Sequence, residues 1–398
     1  NAQNRSSLIT DLCRLYAHIK QDILTDDQKT ESMVTLLFDL MGTRRERWLF
    51  VFDNIPDYAT LRDLIPPGHL IVTTRAANGW GDFAVMHPGA LAYKELDDPA
   101  VEVLLETSHR SEDRVGARDL AETLGGLPLA LVIAGNLLRR KVDQSFAGFA
   151  AQVDTILSDA DAHPEYPRSI LATVQLSYDT LPPDAQQIAD VFAWFAPEGL
   201  QAGLIVDAPG GRWEFHKTDM PENLQELAQA PGRVAAVIEA LVDRSILRRG
   251  TVGYELHRMS AAALRAMQGD APLNAAAAAL LAAVYPGGST PAYSGNWPEC
   301  RRLTPHLRAL WGSGDAPKIA AMDFLLNQAS LFLGATGDMG GSVELARASL
   351  SLKEARLPEE DRVIAVGHTN LGLSLNRNGD LEGAEESLRR AEALDEAH

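Results

Sequence analysis

The sequence predicts a multidomain α/β plus α protein, in which a partial parallel sheet is followed by helical units. Two short, unbroken apolar runs, at residues 48–52 and 70–74, alternate with helix-like segments in the first part of the chain. After Tyr93 the strand signals fade and helical periodicity dominates. A chain of 398 residues, 46% of them hydrophobic, is long enough to form several packed cores.

The first part of the chain is predicted to be an α/β unit. Apolar residues recur at helical spacing over residues 8–19 and 33–41, which predicts two amphipathic helices. The β-prone run 48–52 ends at Asp53, and the second run, 70–74, follows a turn-rich segment. Short continuous apolar strands between helices indicate a parallel sheet that is covered on both faces.

The middle of the chain is predicted to be a small helical domain. Pro99 marks a helix start, and Gly125-Gly126 interrupts the helical pattern before Leu127-Pro128. Segment 158–168 is polar and contains two prolines. We therefore expect this segment to be the hinge that leads to the next domain.

A β-hairpin is predicted further along. Residues 234–241 place apolar side chains on one helix face, and the strand-like segments 246–248 and 254–256 flank Gly250. Helices followed by a β-hairpin suggest a winged helix.

The C-terminal part of the chain contains an internal repeat. Gly337-Asp338 recurs as Gly379-Asp380, 42 positions later, within similar helical patterns. Small residues at equivalent positions let paired helices stack closely, so the repeat predicts a helix-hairpin solenoid. The expected units are residues 1–93 (α/β), 94–157 (helical), 169–270 (winged helix), 271–314 (helical linker) and 315–398 (repeats).

Composition restricts the class of function. Asp and Glu outnumber Lys and Arg by 54 to 36, and the net charge of −18 disfavours direct binding to nucleic acid. Cys13 and Cys300 have no metal-ligand partners at useful spacing, which is typical of a protein of the reducing cytoplasm. The longest apolar run, 275–285, is too short to span a membrane, so we expect no membrane partner.

Asp53 is the strongest candidate for chemistry. A carboxylate at the carboxyl end of a buried strand lies where α/β sheets bind ligands, and in phosphate-binding ATPases such an acid holds Mg²⁺. The second strand leads to Arg75 at the same edge, so a cation and a metal-binding acid are expected to face one nucleotide. The alternative is that Asp53 ends a strand and Arg75 forms a surface ion pair.

Several segments, in chain order, resemble those of NB-ARC proteins, which are STAND-class signalling ATPases. Residues 48–54 resemble the Walker B strand, 72–75 the sensor strand, and 126–130 match the Gly-Leu-Pro-Leu-Ala motif letter for letter. Residues 176–182 resemble the start of the family's winged-helix domain, and 256–258 stand in the place of its Met-His-Asp motif. The C-terminal repeat is similar to the tetratricopeptide repeats (TPR) of bacterial members.

This resemblance implies a partial P-loop NTPase sheet, a helical domain, a winged helix and a TPR-like α-solenoid. It also implies a set of residues that contact the nucleotide or its metal ion: Asp53, Asn54, Thr74, Arg75, Gly126, Leu127, Pro128 and His257. Asp53 and Asn54 would act at Mg²⁺, Arg75 would sense the γ-phosphate, and Pro128 would pack on the adenine ring. His257 would contact the β-phosphate of ADP. The physical chemistry agrees, since arginine and histidine donate hydrogen bonds to phosphate oxygens.

The chain departs from the family pattern at three points. Asn54 replaces the second Walker B acid, so no carboxylate is evident there to position a water molecule, and ATP hydrolysis is expected to be slow at most. Arg258 stands where the family has Asp. No Gly-x-x-x-x-Gly-Lys-Ser/Thr loop occurs in the sequence, so we expect Asn1 to lie inside a longer protein that carries this loop upstream.

The expected function is that of a nucleotide-dependent switch in the cytoplasm. ADP would hold an off state, ATP would favour an on state that self-associates, and the repeats would bind a protein or peptide. One alternative is a non-catalytic scaffold that acts only through its TPR-like repeats. Another is the switch module of a transcription regulator whose DNA-binding domain lies outside this chain.

Overall fold

The computed structural model describes residues 5–20, 31–44, 46–74, 76, 79–81, 83–86, 89–159, 168–210, 219–269, 272–288, 290–313, 316–359 and 361–396. The chain divides into two compact units. The first comprises residues 1–87, 286–300 and 326–398, and the second comprises residues 88–285 and 301–325. The five-part division expected from the sequence stays a prediction.

The first unit begins with the α/β segment that the sequence predicts. Its elements are α1 (Arg5–Lys20), α2 (Glu31–Thr43), β1 (Leu49–Ile55) and β2 (His69–Thr74). The two strands pair in parallel, with Phe52 opposite Val72, and the register shifts between Phe52 and Ile55. The predicted parallel pairing is confirmed.

Among the residues that the structure describes, only one face of this strand pair is covered, which corrects the expectation of a sheet buried on both faces. Phe50 and Phe52 lie in a core cluster together with residues of α1 and α2. Leu49, Val51 and Ile71 point to the opposite face and are 60%, 59% and 52% exposed. The reason is strand alternation: successive side chains point to opposite faces, and the two helices pack on one side.

The second unit is mainly helical. Its helices are α3 (Pro99–Ser108), α4 (Arg114–Thr123), α5 (Pro128–Arg140), α6 (Phe146–Asp159), α7 (Arg168–Tyr178), α8 (Pro183–Phe192), α9 (Gly203–Val206), α10 (Glu222–Ala228), α11 (Pro231–Asp243), α12 (Arg258–Met267) and α13 (Asn274–Val284). Helix α7 packs against α5, α6 and α12. The hinge expected at 158–168 lies for the most part outside the residues that the structure describes.

The predicted hairpin is confirmed. Strands β3 (Leu247–Arg249) and β4 (Tyr254–Leu256) pair antiparallel. Leu200 forms a further antiparallel bridge to Tyr254, with both backbone N–H···O bonds present. The hairpin is thereby attached to the segment between α8 and α9.

The chain continues through α14 (Trp297–Trp311), α15 (Met322–Ala335), α16 (Met339–Arg356), α17 (Arg362–Arg377) and α18 (Leu381–Glu396). Helix α17 packs against both α16 and α18. Helices α15 and α16 form the first helical hairpin of the predicted repeat, and α17 and α18 form the second.

The turns of the two hairpins have the same geometry. Gly337 and Gly379 adopt φ values of +86° and +85°, a conformation that favours glycine. Asp338 N–H and Asp380 N–H donate to carbonyls five residues earlier, at 2.9 and 3.0 Å. Each aspartate side chain then accepts from a backbone N–H of the following helix. The repeat seen in sequence is therefore a repeat of structure.

Candidate functional site

Asp53 lies next to Thr73 at the carboxyl ends of the parallel strands. The Thr73 hydroxyl donates to Asp53 Oδ1 at 2.5 Å. Both side chains are exposed and lie on the same sheet face as Val51 and Ile71. The hydrogen bond fixes one oxygen of the carboxylate at the end of the strand pair, which is the usual ligand-binding edge of an α/β sheet.

Thr74 is the last residue of β2, and its contact with a nucleotide stays a prediction. It pairs with Ile55 beyond the register shift, and its hydroxyl oxygen accepts from Ala76 N–H at 3.0 Å. The residue in contact with Asp53 is thus Thr73, which the sequence argument did not single out as a site residue. Asn54 lies within β1, but its side chain is outside what the structure describes, as is the whole of Arg75.

Gly126 lies between the end of α4 at Thr123 and the start of α5 at Pro128. It adopts φ +65° and is buried, and its carbonyl accepts from Leu91 N–H at 2.8 Å. A Cβ atom at this position would lie 2.2 Å from the Leu91 carbonyl oxygen. The backbone alone therefore requires glycine here, whether or not a ligand binds.

Pro128 occupies the first turn of α5, where its fixed φ and missing N–H suit the helix. Its side chain is exposed, while Leu127 is half-buried. The proline ring that is predicted to contact adenine therefore has an accessible surface at the start of a helix.

His257 connects β4 to α12. Its Nδ1 accepts from Met259 N–H at 3.2 Å and caps the helix. Partial desolvation of the imidazole, with smaller contributions from the positive charges of Arg248 and Arg258, lowers its pKa. The neutral ring that accepts at Nδ1 carries its proton on Nε2. His257 can therefore donate one hydrogen bond to an anion.

The predicted residues fall on both compact units. Asp53 and Thr74 belong to the first, and Gly126, Leu127, Pro128 and His257 belong to the second. Within the first unit the structure brings Asp53 to Thr73. That residues of the two units contact one nucleotide stays a prediction.

Sequence reasoning missed a polar pair in the second unit. Tyr178 Oη donates to Asp190 Oδ2 at 2.7 Å between α7 and α8. Burial raises the pKa of Asp190 to about 6, while hydrogen bonds from Tyr178 and Gln268 oppose that rise. The signal in the sequence that could have indicated this pair is an acidic residue between the apolar residues Ala189 and Val191. Both of these are buried in α8.

In the described part of the chain, no three His, Cys, Asp or Glu side chains are grouped to hold a metal ion. None of the helices described there has both the length and the apolar character needed to cross a membrane.

No protein-family model matches this chain, and a search of the curated proteins finds no match either.

Proposed function

We propose that this chain is the nucleotide-sensing and repeat region of a STAND-type signalling switch of the NB-ARC kind. The observation that carries the proposal is the contact between Asp53 and Thr73 where two parallel strands end. Such an edge is where α/β sheets bind nucleotides. ADP would hold the off state, and ATP would favour an on state that self-associates.

The residues at this edge are suited to Mg²⁺. Proteins hold Mg²⁺ through one or two carboxylates together with phosphate oxygens and water, so a site built on one acid is sufficient. Asp53 would supply this carboxylate, and Thr73 would orient it. Arg75 follows β2 directly in the sequence and would sense the γ-phosphate.

Two features of the second unit are suited to the rest of an adenine nucleotide. Pro128 offers an exposed apolar ring for the base, and Leu127 lies beside it. His257 offers an Nε2–H donor for a phosphate oxygen. ATP carries a γ-phosphate and ADP does not, and this phosphate would distinguish the two states. Because Asn54 takes the place of a second acid, the switch would be at most a slow ATPase.

The assignment of individual domains in this proposal follows from the same resemblance to NB-ARC proteins. The order of elements is typical of a winged helix: α8, the bridge at Leu200, α10, α11 and then the β3–β4 hairpin. We interpret α15–α18 as TPR-like repeats and β1–β2 as part of a P-loop NTPase sheet. The repeats would bind a protein or peptide ligand.

The test measures bound nucleotide. The natural gene product is purified and denatured, and the released nucleotide is identified by chromatography. We expect ADP, with less retained after Asp53→Ala or His257→Ala. The matched controls, Asp63→Ala and His69→Ala, change exposed residues of the first unit and should retain ADP. Absence of ADP from the natural gene product, with no binding of added ADP or ATP, would refute the switch.

That negative result would favour the second candidate, a protein-interaction scaffold. The observation behind it is structural: the two C-terminal hairpins repeat with the same turn geometry. A regulator of transcription remains a third proposal and depends on a DNA-binding domain outside this chain.

A further inference from the structure

His306 of α14 binds the backbone that follows α8. The imidazole is buried, with 1% of the residue exposed. Ala196 N–H donates to its Nδ1 at 3.2 Å, and its Nε2 lies 3.3 Å from the carbonyl oxygen of Gly199. Burial lowers the pKa of His306 to about 4, so the ring is neutral at pH 7, accepts at Nδ1 and donates from Nε2. Both ring nitrogens therefore bind one short stretch, which we call the 196–200 segment.

The 196–200 segment is bonded to β4 as well. The carbonyl oxygen of Pro197 accepts from Leu256 N–H at 2.8 Å, and Leu200 forms the antiparallel bridge to the same strand. Leu256 is the last residue of β4, and His257 follows it directly as the cap of α12. A continuous series of hydrogen bonds therefore connects α14 to the backbone that carries His257.

The residues just before the 196–200 segment contact the C-terminal end of α12. Trp194 Nε1 donates to Gln268 Oε1 at 2.9 Å, where that helix ends. Arg265, in the last turn, donates to the carbonyl oxygen of Ala193, and its guanidinium lies over the Trp194 ring. The C-terminal end of α12 is thus held separately from its N-terminal cap, which follows β4. Movement of the 196–200 segment therefore changes the position of the capping histidine without displacing the other end of the helix.

We propose that His306 is a positioning residue for His257, and that α14 thereby controls the Nε2–H donor of His257. The element with two states is the 196–200 segment, which is either bound to the His306 ring or released from it. Release leaves β4 and the cap less restrained and weakens the hold of His257 on an anion. The positioning itself does not require a nucleotide, and only its effect on ADP rests on the proposed function.

The test observes the His257 imidazole by ¹⁵N NMR in the full 398-residue chain. His306→Phe keeps an aromatic ring but removes both hydrogen bonds to the 196–200 segment. We expect this variant to lose the single Nε2–H tautomer of His257 and to raise the pKa of His257, because a loosened cap is better solvated. His306→Gln keeps a donor for the Gly199 carbonyl and should change the tautomer and the pKa less.

A matched control separates positioning from a general loss of stability. Thr304→Val removes another buried hydrogen bond of α14, the one between Thr304 Oγ1 and Tyr285 Oη at 2.9 Å. This variant should lose stability but leave the tautomer and pKa of His257 unchanged. If His306→Phe does not fold, His306→Gln is compared with Thr304→Val in the same way. An unaltered His257 in the His306 variants, or an equal change in Thr304→Val, would overturn the proposal.

The effect on nucleotide binding is measured separately on the natural gene product. His306→Phe should weaken ADP binding about tenfold, the loss expected when a hydrogen bond to a charged group is misplaced. Thr304→Val should leave the ADP affinity unchanged. The two proposals fail in different ways: no ADP binding by the unaltered protein refutes the nucleotide switch, whereas an unaltered His257 spectrum refutes the positioning role of His306.

Discussion

Tyr178 donates a hydrogen bond to the half-buried carboxylate of Asp190, with 2.7 Å between Oη and Oδ2. The pair joins α7 to α8. Burial raises the pKa of Asp190 from 3.8 to about 6, so folding disfavours its charged form.

The first prediction concerns the pH dependence of stability. Between pH 3.8 and about 6 the folded protein binds a proton at Asp190 that the unfolded chain does not bind. The contribution of Asp190 to the free energy of unfolding therefore falls as the pH rises through this range. Asp190→Asn should remove this component and stabilise the protein at pH 7 by about 1–2 kcal/mol, a value reduced for partial exposure. Urea unfolding from pH 4 to 8 measures the free energy of unfolding of both proteins. Glu226→Gln, at an exposed residue, is the control.

The donor side of the pair gives a second prediction. Tyr178→Phe leaves the Asp190 carboxylate without one of its hydrogen bonds and should lower the free energy of unfolding by about 1–3 kcal/mol at pH 7. The loss should be smaller at pH 5, where Asp190 is largely protonated. An equal loss at both pH values would show that the effect of the hydroxyl does not depend on the charge of Asp190.

Two adjacent glycines provide a third prediction with an internal control. Gly125 and Gly126 share a φ of +65°, but only at Gly126 would a Cβ atom meet backbone, at 2.2 Å from Leu91 O. Gly125→Ala should cost about 1 kcal/mol from backbone strain. Gly126→Ala should cost about 3 kcal/mol because steric overlap adds to that strain. Thermal unfolding of both variants compares them directly, and similar losses would contradict the close approach.

The repeat turns provide a fourth prediction. Asp380 Oδ1 accepts from Gly383 N–H at 3.0 Å, so Asp380→Ala should cost about 1 kcal/mol as the loss of a helix cap. Asp338→Ala should cost more because Asp338 is buried. Glu382→Ala, in the same first turn as Gly383, serves as control and should change stability by less than about 0.5 kcal/mol. Circular dichroism melting measures all three variants.

A fifth prediction concerns the protonation of His257. Its pKa is lowered by desolvation and by two arginines, so its ring should be neutral at pH 7 with the proton on Nε2. Arg248→Ala should raise this pKa, because one positive charge is removed. NMR titration of the imidazole nitrogens reports both the tautomer and the pKa. A proton on Nδ1 would contradict the capping hydrogen bond to Met259.

Much of the local structure could be predicted from the sequence because local interactions determine it. Gly337 and Gly379 mark turns that need a positive φ, and the aspartate that follows each caps the next helix. The apolar runs ending near Asp53 and Thr74 are strands, as predicted.

The candidate site was predicted less completely. Asp53 is at the expected strand end, but its partner is Thr73, because strand alternation places Thr73 on the face of Asp53 and the register shift pairs Thr74 with Ile55. Sequence spacing alone does not reveal a register shift, which depends on how the two strands pair.

The sequence by itself determined the parallel strand pair, the hairpin and the repeat of 42 residues, since each depends on periodicity and turn chemistry within a short segment. Only the tertiary structure decided which side chains meet. It half-buried Asp190 beside Tyr178 and, among the described residues, left the sheet face of Val51 uncovered. It also placed α17 against Leu350 of α16. Burial and contact depend on segments distant in the chain, so the local pattern of residues cannot specify them.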